Sequence, residues 1–466
     1  MTTVAERHDA VLAEQARFAQ GRGATSPQWL RDLRARGVAR FAALGFPSVR
    51  LEEWRFTNIT PIAEAAFRLG EAAPTNAAQL AARVSIPSPS ARLVILNGHF
   101  ASELSHTDTL PAGVVAGSLA RNLASDSPEV AHLGQVPWEH APFVALNTAF
   151  LEDGAFISVP ANTIVEHPIH VVVINGGAGK TMAHPRTLIT VGPNSHVRVA
   201  QTFLGAAGEC HFTNTVTEVS LGENATLDLV TDQRETDSAY HVAAMHVHQQ
   251  RSSTFRSRTV ILGGKLLRND VMAVLAGEGA HCALDGCYLV DGERLVDNHT
   301  TIDHATPHCT SHELYKGILD GRARAVFNGR IIVREDAQKT DAKQTNRALL
   351  LSDEAMINSN PQLEIFADDV KCTHGAAIGQ LDEEALFYLR ARGLTLRDAR
   401  DMLIHAYVGE VLEGITIESL RNQLERELFV QLDRDLADHG DPANQLSPGL
   451  RRSAAASADA EAGSLK

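Results

Sequence analysis

The stretch SHVRVAQTF, residues 195 to 203, is the clearest sign of the fold. Alternate residues of an extended chain point to opposite faces, and here one face is mostly apolar while the other is mostly polar. The mostly apolar face carries Val197, Val199, Gln201 and Phe203. Similar runs are TLDLV (226–230), STFRSRTVIL (253–262) and RAVFNGRIIV (324–333). The centre of the chain is therefore predicted to consist of short β-strands.

Turn signals separate these runs between about residues 150 and 375. They include GPNS, GEN, GG, GEG and DG, which are rich in residues that adopt positive φ. The region is longer than one β-sandwich usually needs, which favours a long β-solenoid. It has no strict short repeat of the kind that marks regular solenoids. The pattern therefore leaves both a sandwich and a solenoid open for a core at residues 91–380.

Helical patterns precede the strand-rich region. In SPQWLRDLRARGVARFAALGFP, residues 26–47, Ser26 is a suitable N-cap and Pro27 suits the first helical position. Gly45 and Pro47 end this helix. A Pro- and Ser-rich segment near residue 90 then leads into the first strand-like run. We predict an N-terminal helical domain over residues 1–90.

Helical patterns return after residue 380. LDEEALFYLRARG has Asp382 as a cap and Gly393 as a stop, and the next helix opens with a capping pattern from Thr395 to Asp398. A third helix runs through TIESLRNQLERELFVQL. Residues 439–466 are rich in Ala, Ser and Gly and poor in large apolar residues. We predict a C-terminal helical domain over 381–438, followed by a disordered tail.

The composition excludes several classes of protein. The formal charge of -14 comes with mixed signs and no Lys/Arg block, so nucleic acid is not an expected partner. No apolar segment is long enough to cross a membrane, and the start resembles no signal peptide, which predicts a cytoplasmic location. The five cysteines form no Cys-x-x-Cys pair, so we expect reduced thiols rather than a disulfide framework.

The segment GGAGKT, residues 176–181, ends like a phosphate-binding loop. Such a loop requires a glycine where this chain has Ile174, and a helix whose first amide groups face the phosphates. MAHPRTLITV follows instead, with a proline and then a strand-like run. We predict a hairpin turn here and no nucleotide bound by this chain.

Two segments are rich in histidine, HVAAMHVH (241–248) and NHTTIDHATPHCTSHELYKG (298–317). The spacing places His246 and His248 on one strand face, and also His304, His308 and His312 if that stretch is extended. Residues four apart on a strand are about 13 Å apart, too far for one metal ion. Stacked coils could bring histidines within reach, because neighbouring strands are about 4.8 Å apart. Metal-binding and structural roles both remain open.

The acidic pair Asp368 and Asp369 raises an enzymatic alternative, a β-helical polysaccharide lyase or hydrolase. Adjacent residues on a strand point to opposite faces, which weakens them as a catalytic pair.

The most informative site is ADDVKCTHG, residues 367–375. On an extended strand Cys372 and His374 share one face, with Cα atoms about 7 Å apart. Thiolate and imidazole are ligands for iron, zinc and iron–sulfur clusters. Two ligands do not fill a coordination shell, so such a site needs a second strand or a second chain. A buried cysteine beside a capping histidine is the structural alternative.

Four stretches carry a resemblance to a known family: FNGRIIVREDAQKTDAKQTNRALLLS (327–352), PQLEIFADDVKCTHGAAIGQLDEEALFYLRARGL (361–394) and, more loosely, DNHTTIDHATPHCTSHELYKGIL (297–319) and EEWRFTNI (52–59). They resemble the SufB/SufD family, the scaffold subunits of the SUF machinery for iron–sulfur cluster assembly. The motif KCTHGA, residues 371–376, is similar to the SufD branch, whereas SufB proteins usually have a Glu-His-Glu-Ala-like sequence there.

This resemblance implies a mainly β protein, with a right-handed parallel β-helix flanked by N-terminal and C-terminal helical domains. It implies a non-catalytic scaffold that pairs with a SufB-like paralogue through the β-helix and helps to build a transient iron–sulfur cluster at their interface. His374 matches the histidine implicated in holding that cluster, and Cys372 matches a cysteine of the same motif.

The resemblance also implies that a SufC-like ABC ATPase binds the C-terminal helices and hydrolyses ATP there. Those helices carry an apolar face that exceeds what a short bundle needs to bury. It includes Met402, Leu403, Tyr407, Val411 and Leu412.

Overall fold

The computed structural model describes residues 4–70, 76–107, 109–124, 132–134, 138, 140–206 and 208–438. The helices are α1 (Val4–Gln20), α2 (Gln28–Leu44), α3 (Thr60–Glu64), α4 (Ala77–Arg83), α5 (Leu119–Leu123), α6 (Pro142–Ala149), α7 (Glu383–Ala391), α8 (Leu396–Glu413) and α9 (Glu418–Asp438). The protein is mainly β, with helices at both ends, as predicted.

The strands begin near residue 68 and continue almost to residue 380. They are β1 (Arg68–Leu69), β2 (Ala91–Leu96), β3 (His99–Phe100), β4 (Val115–Ser118), β5 (Gly154–Val159), β6 (Ile169–Asn175), β7 (Thr181–Ala183), β8 (Arg186–Val191), β9 (His196–Gly205), β10 (His211–Leu221), β11 (Thr226–Arg234), β12 (Tyr240–Gln249), β13 (Thr254–Ile261), β14 (Leu266–Leu275), β15 (His281–Val290), β16 (Leu295–His304), β17 (Thr310–Leu319), β18 (Arg324–Val333), β19 (Asp341–Leu350), β20 (Met356–Ile365) and β21 (Lys371–Gly379).

Most of these strands form two long parallel sheets. The first sheet has the order β20-β18-β16-β14-β12-β10-β8-β5-β4, and the second has the order β21-β19-β17-β15-β13-β11-β9-β6-β2-β3. From β8 onward, consecutive strands lie in different sheets. Each strand pairs with the strands one coil before and one coil after it, except β20 and β21, which pair only with the preceding coil. The core is a parallel β-solenoid of about eight coils. Of the two architectures that the sequence pattern left open, the solenoid is the correct one.

The coils differ in length. Equivalent positions at the start of the second-sheet strands are His196, Thr226, Thr254, His281, Thr310, Asp341 and Lys371. Their numbers differ by 27 to 31 residues from one coil to the next. Because the period is long and varies, no strict short repeat is visible in the sequence.

One corner of each coil is formed by a residue in the left-handed backbone region. The φ angles at Asn162, Asn194, Asn224, Ser252, Gly279, His308 and Lys339 lie between 56° and 71°. The backbone N–H at this corner donates to a carbonyl of the next coil, as from Asn194 to Glu223 and from Asn224 to Arg251. Asparagine and glycine tolerate this conformation, so the turn signals GPNS, GEN and GEG mark corners of the solenoid.

The interior of the solenoid contains the apolar face predicted for residues 195–203. Val197, Val199 and Phe203 are at most 2% exposed and pack in one cluster with Leu227 and Phe255 of the next two coils. In-register stacking brings equivalent side chains of successive parallel strands together, which is why one apolar row continues along the axis. The predicted alternation is therefore confirmed.

The N-terminal helices pack on the first sheet through the stretch that contains Trp54. The Arg268 guanidinium lies over the Trp54 ring, 3.8 Å from its centroid, and donates to Asp297 Oδ2 at 2.8 Å. The Thr57 hydroxyl donates to the same carboxylate oxygen at 2.6 Å. EEWRFTNI thus joins the N-terminal segment to the solenoid.

One predicted cap is wrong. Pro27 is the N-cap of α2, and the Ser26 hydroxyl accepts a hydrogen bond from Arg34 Nη1 at 2.9 Å instead of capping the helix.

The C-terminal helices pack on the outer face of the second sheet. Val408, Val411 and Leu412 of α8 are at most 1% exposed and lie in one cluster with Val230 and Val260 of the sheet. The predicted caps are confirmed at this end of the chain. The Asp382 side chain accepts from two backbone N–H groups of α7, and the Thr395 side chain accepts from Asp398 N of α8.

The segment GGAGKT joins β6 to β7, and these two strands belong to different sheets. The predicted hairpin is therefore wrong, because consecutive strands in this part of the solenoid do not pair with each other. A strand follows the glycines, as the sequence indicated, and no helix begins there. The segment lacks the helix N-terminus that a phosphate-binding loop requires.

Among the residues that the structure describes, none of the helices combines the length and the apolar character that a bilayer-spanning segment requires. The domain limits at residues 90, 380 and 438 remain predictions, and the predicted tail at 439–466 lies outside the described residues.

Candidate functional site at the last coil

The solenoid ends in a coil whose strand edges are unpaired. β20 pairs with β18 and β21 pairs with β19, and within the described chain nothing pairs with their other edges. Every residue of β21 is exposed except Cys372, which is partly buried. Unpaired strand edges present a row of backbone donors and acceptors that another chain can complete.

Large apolar side chains are also exposed on this coil. They are Met356, Ile365, Phe366 and Ile378, each 40% to 63% exposed. Apolar side chains next to free strand edges are typical of a protein interface rather than of a solvated surface. The last coil therefore has both the backbone groups and the apolar contacts that a partner strand would use.

Cys372 lies on the interior face of β21. It is in register with Ala342 of β19 and packs against a cluster that includes Ala342, Leu363 and Val370. Burial raises the pKa of the Cys372 thiol, and the Asp341 carboxylate raises it further. The thiol is therefore protonated near neutral pH, and a metal would have to displace that proton to bind the sulfur.

His374 lies two residues beyond Cys372, so both side chains start from the same face of the strand. It is in register with Gln344 of β19, and it is exposed because no further coil stacks on it. The structure thus places the two predicted ligands on one face of the terminal strand, at the edge that a second chain can reach.

The other histidines are distributed differently from the prediction. His246 and His248 do share the outer face of β12, as predicted. His304 is fully buried at the end of β16, His308 is at a coil corner, and His312 points outward from β17. The stretch bends at the corner, so these three histidines do not share a face.

Outside the last coil, the residues that the structure describes show no metal-binding group. The described part of the chain contains no group of three His, Cys, Asp or Glu side chains that could hold a metal ion. Asp368 and Asp369 lie in the exposed turn between β20 and β21, where Asp369 pairs with Lys339. That arrangement does not resemble two catalytic carboxyl groups facing each other across a cleft.

Two buried polar networks were missed in the sequence. Glu235 is fully buried and accepts hydrogen bonds from His211 Nε2 at 3.1 Å and His241 Nδ1 at 2.5 Å. Glu313 is buried in the interior of β17 and accepts from Gln344 Nε2 at 2.7 Å. Glu313 and Gln344 are 31 residues apart, which is one coil, so only knowledge of the coil length would have brought them together.

The apolar face of the C-terminal helices that was predicted to bind the ATPase is mostly buried within the chain and so is not available to a partner. Val411 and Leu412 are buried against the second sheet, and Tyr407 also packs there. Met402 remains 48% exposed. The sequence showed an apolar face but not which partner buries it, and the partner is largely the chain's own solenoid.

Other apolar side chains of the C-terminal helices do face solvent. Phe387 and Tyr388 of α7 are 76% and 55% exposed, and Phe429 and Val430 of α9 are 37% and 46% exposed. None of the residues of α7 is buried. A helix with two exposed aromatic rings and no buried face is a suitable docking element.

Comparison with known proteins identifies the family to which the chain belongs. The family described as "SUF system FeS cluster assembly, SufBD core domain" matches residues 172–407, and "SufBD protein N-terminal region" matches residues 17–171. An iron-sulfur cluster assembly SufBD family protein of Synechocystis is 36% identical over 395 residues, covering 82% of this chain and 86% of the relative.

More distant relatives cover similar shares of the chain. The iron-sulfur cluster assembly protein SufD of Escherichia coli is 29% identical over 82% of this chain and 88% of its own length. A chloroplastic protein of Arabidopsis thaliana, ABCI7, is 29% identical over 88% of both chains.

These findings define a class, the β-solenoid scaffold proteins of iron–sulfur cluster assembly. The chain belongs to the SufBD family of the SUF system, and its similarity to SufD supports the branch indicated by KCTHGA.

Proposed function

We propose that this chain is a non-catalytic scaffold subunit that pairs with a SufB-like paralogue and holds a nascent iron–sulfur cluster at the shared interface. The observation that carries the proposal is the last coil. It combines two unpaired strand edges, exposed apolar side chains and the exposed imidazole of His374. Membership of a family named for cluster assembly supports the same role.

Pairing through this coil would extend both sheets across two chains. The partner would supply backbone groups to β20 and β21 and cover Met356, Ile365, Phe366 and Ile378. A cluster needs about four protein ligands, and this chain offers at most Cys372 and His374 on the relevant face. The remaining ligands therefore come from the partner.

His374 is the principal ligand from this chain in our proposal, and Cys372 is secondary. The imidazole is exposed at the edge, whereas the thiol is half-buried and its pKa is raised by burial. A neutral imidazole can bind iron without losing a proton, provided that one ring nitrogen is unprotonated. ATP hydrolysis is assigned to a SufC-like ATPase that docks on the C-terminal helices, with α7 as its main contact.

The test is anaerobic reconstitution of the complex with iron(II) and sulfide, followed by the visible absorption of the cluster. His374→Ala should reduce the cluster to background, and Cys372→Ser should reduce it less. Both variants should still co-purify with the SufB-like partner, because an exposed imidazole contributes little apolar burial. The matched control is His312→Ala, which removes a half-exposed imidazole from the outer face of the same sheet.

A normal cluster yield from the His374→Ala complex would refute the ligand assignment. Loss of the partner in Phe366→Asp and Ile378→Asp variants would support the interface, while unchanged pairing would place the interface elsewhere.

A further inference from the structure

The interior row of the second sheet that ends at His374 is polar in its last three coils. The row contains Glu313, Gln344 and His374, which are in register on β17, β19 and β21. The row on one side is mainly apolar or small and contains Cys282, Ser311, Ala342 and Cys372. The row on the other side contains Gly286, Tyr315, Asn346 and Ala376. A buried carboxyl and a buried amide directly behind an exposed histidine therefore need a physical explanation.

The side-chain amide of Gln344 has a hydrogen-bond partner for its nitrogen but, among the described residues, none for its oxygen. Its side chain is 1% exposed, and its Nε2 donates to Glu313 Oε2 at 2.7 Å in the preceding coil. Its Oε1 is buried and has no hydrogen-bond partner among the described residues. Leaving a buried acceptor unpaired is costly, so a hydrogen-bond donor is expected to reach this atom.

The opposite sheet makes room for this amide. A Cβ atom at Gly329 of β18 would lie 2.2 Å from Gln344 Nε2, so only glycine leaves space for the side chain to stay extended toward Glu313. Glu313 accepts from Nε2, which fixes the nitrogen on the side of the preceding coil. The carbonyl oxygen is then left for the following coil, where the next residue of the row is His374.

We propose that Gln344 is the positioning residue of His374, with its Oε1 accepting the N–H of the ring nitrogen that does not bind the cluster. This inference rests on the proposed function of His374. Ligating histidines commonly donate their second ring N–H to a carbonyl or carboxylate, which fixes the tautomer and the ring orientation. Glu313 acts indirectly on His374. By accepting from Gln344 Nε2, it decides which end of the Gln344 amide faces the histidine.

The tautomer of His374 tests the inference in the full-length chain, without any metal. The chain is labelled with ¹⁵N-histidine and observed by NMR at pH 8, and His374→Ala identifies the resonances. One tautomer of His374 should dominate in the wild type. Gln344→Met should give the tautomer mixture of a free imidazole. An unchanged tautomer in Gln344→Met overturns the inference.

The matched control is Asn346→Met. Asn346 is on the same strand and the same interior face, is 1% exposed, and also has a buried oxygen without a partner. Its register neighbour in β21 is Ala376, which has no ring to orient. The His374 tautomer should therefore match the wild type in this variant. A change as large as that in Gln344→Met would show general loosening of the coil and would also overturn the inference.

A second variant guards against misfolding of Gln344→Met. Glu313→Gln keeps the shape of the side chain but lets the Gln344 amide face either way, so the preference for one His374 tautomer should weaken. If the preference for one His374 tautomer is undiminished in Glu313→Gln, the role proposed for Glu313 is contradicted.

In the complex, Gln344→Met should raise the iron(II) concentration needed for half-maximal cluster formation by about 10- to 100-fold. The two proposals can fail separately. A normal cluster with His374→Ala but a changed tautomer with Gln344→Met would refute the ligand role and keep the positioning role.

Discussion

Glu313 is a carboxyl group in the interior of a solenoid, and its ionisation is coupled to the stability of the fold. Burial raises its pKa to about 7, although the hydrogen bond from Gln344 opposes this shift. The unfolded chain ionises this group near its ordinary pKa of 4.5. The folded protein is therefore penalised as the pH rises from about 4.5 to 7, and the penalty is complete above that range.

Glu313→Gln should stabilise the protein at pH 8 and have little effect at pH 4.5. The shift in pKa corresponds to about 3 kcal/mol, at about 1.4 kcal/mol for each pH unit. Thermal melting of the variant and the wild type at both pH values measures the difference. Glu223→Gln, at a carboxylate that is 56% exposed, is the control and should show no such gain at pH 8. Parallel pH profiles for Glu313→Gln and the wild type would contradict this prediction.

At the scale of single elements, the starts of the C-terminal helices α7 and α8 were predictable because their signals are local, whereas the predicted Ser26 cap of α2 was wrong. Asp382 and Thr395 cap α7 and α8 with their own side chains, a few residues from the groups they bind. The buried side of α8 was not predictable, since Val411 and Leu412 lie in one cluster with strand residues such as Val260, more than 150 residues earlier. The pair Glu313 and Gln344 was missed for the same reason. The shared strand face of Cys372 and His374 could be predicted, because their spacing within one strand is sufficient to place them.

Helix α7 is the element on which we expect the ATPase to depend most. A double variant, Phe387→Ser with Tyr388→Ser, should lower the amount of co-purified SufC-like ATPase at least about tenfold, because exposed aromatic anchors dominate interface energies. Its melting temperature should match the wild type, since both side chains are more than half exposed. Leu51→Ser, at a 54% exposed apolar residue of the N-terminal segment, is the control. Undiminished co-purification would move the docking site away from α7.

At the scale of the whole molecule, the C-terminal helices are part of the solenoid's own packing. α8 and α9 cover an apolar stripe of the second sheet that includes Val230, Val260, Leu314 and Ile318. Each of these would lose burial if the helices were removed, at about 25 cal/mol for each Å² of apolar surface exposed. The helices therefore cannot be regarded as an independent docking module.

Truncation after residue 395 should lower the melting temperature and produce binding of a hydrophobic dye, because the stripe becomes exposed. A truncation that removes only residues 439–466 keeps α8 and α9 and serves as the control. If the shorter chain melts like the control and binds no dye, the helices contribute less to the core than their contacts indicate.

The two ends of the solenoid differ in a way that limits how many subunits can join. At the first coil, each sheet ends in a short antiparallel strand, β4 beside β5 and β3 beside β2. At the last coil both edges are unpaired. A chain that could pair through both ends would grow into a filament. A chain that pairs only through its last coil can join just one other chain. If the proposed pairing uses only the last coil, assembly stops at two chains, and the junction between them is the coil that carries His374.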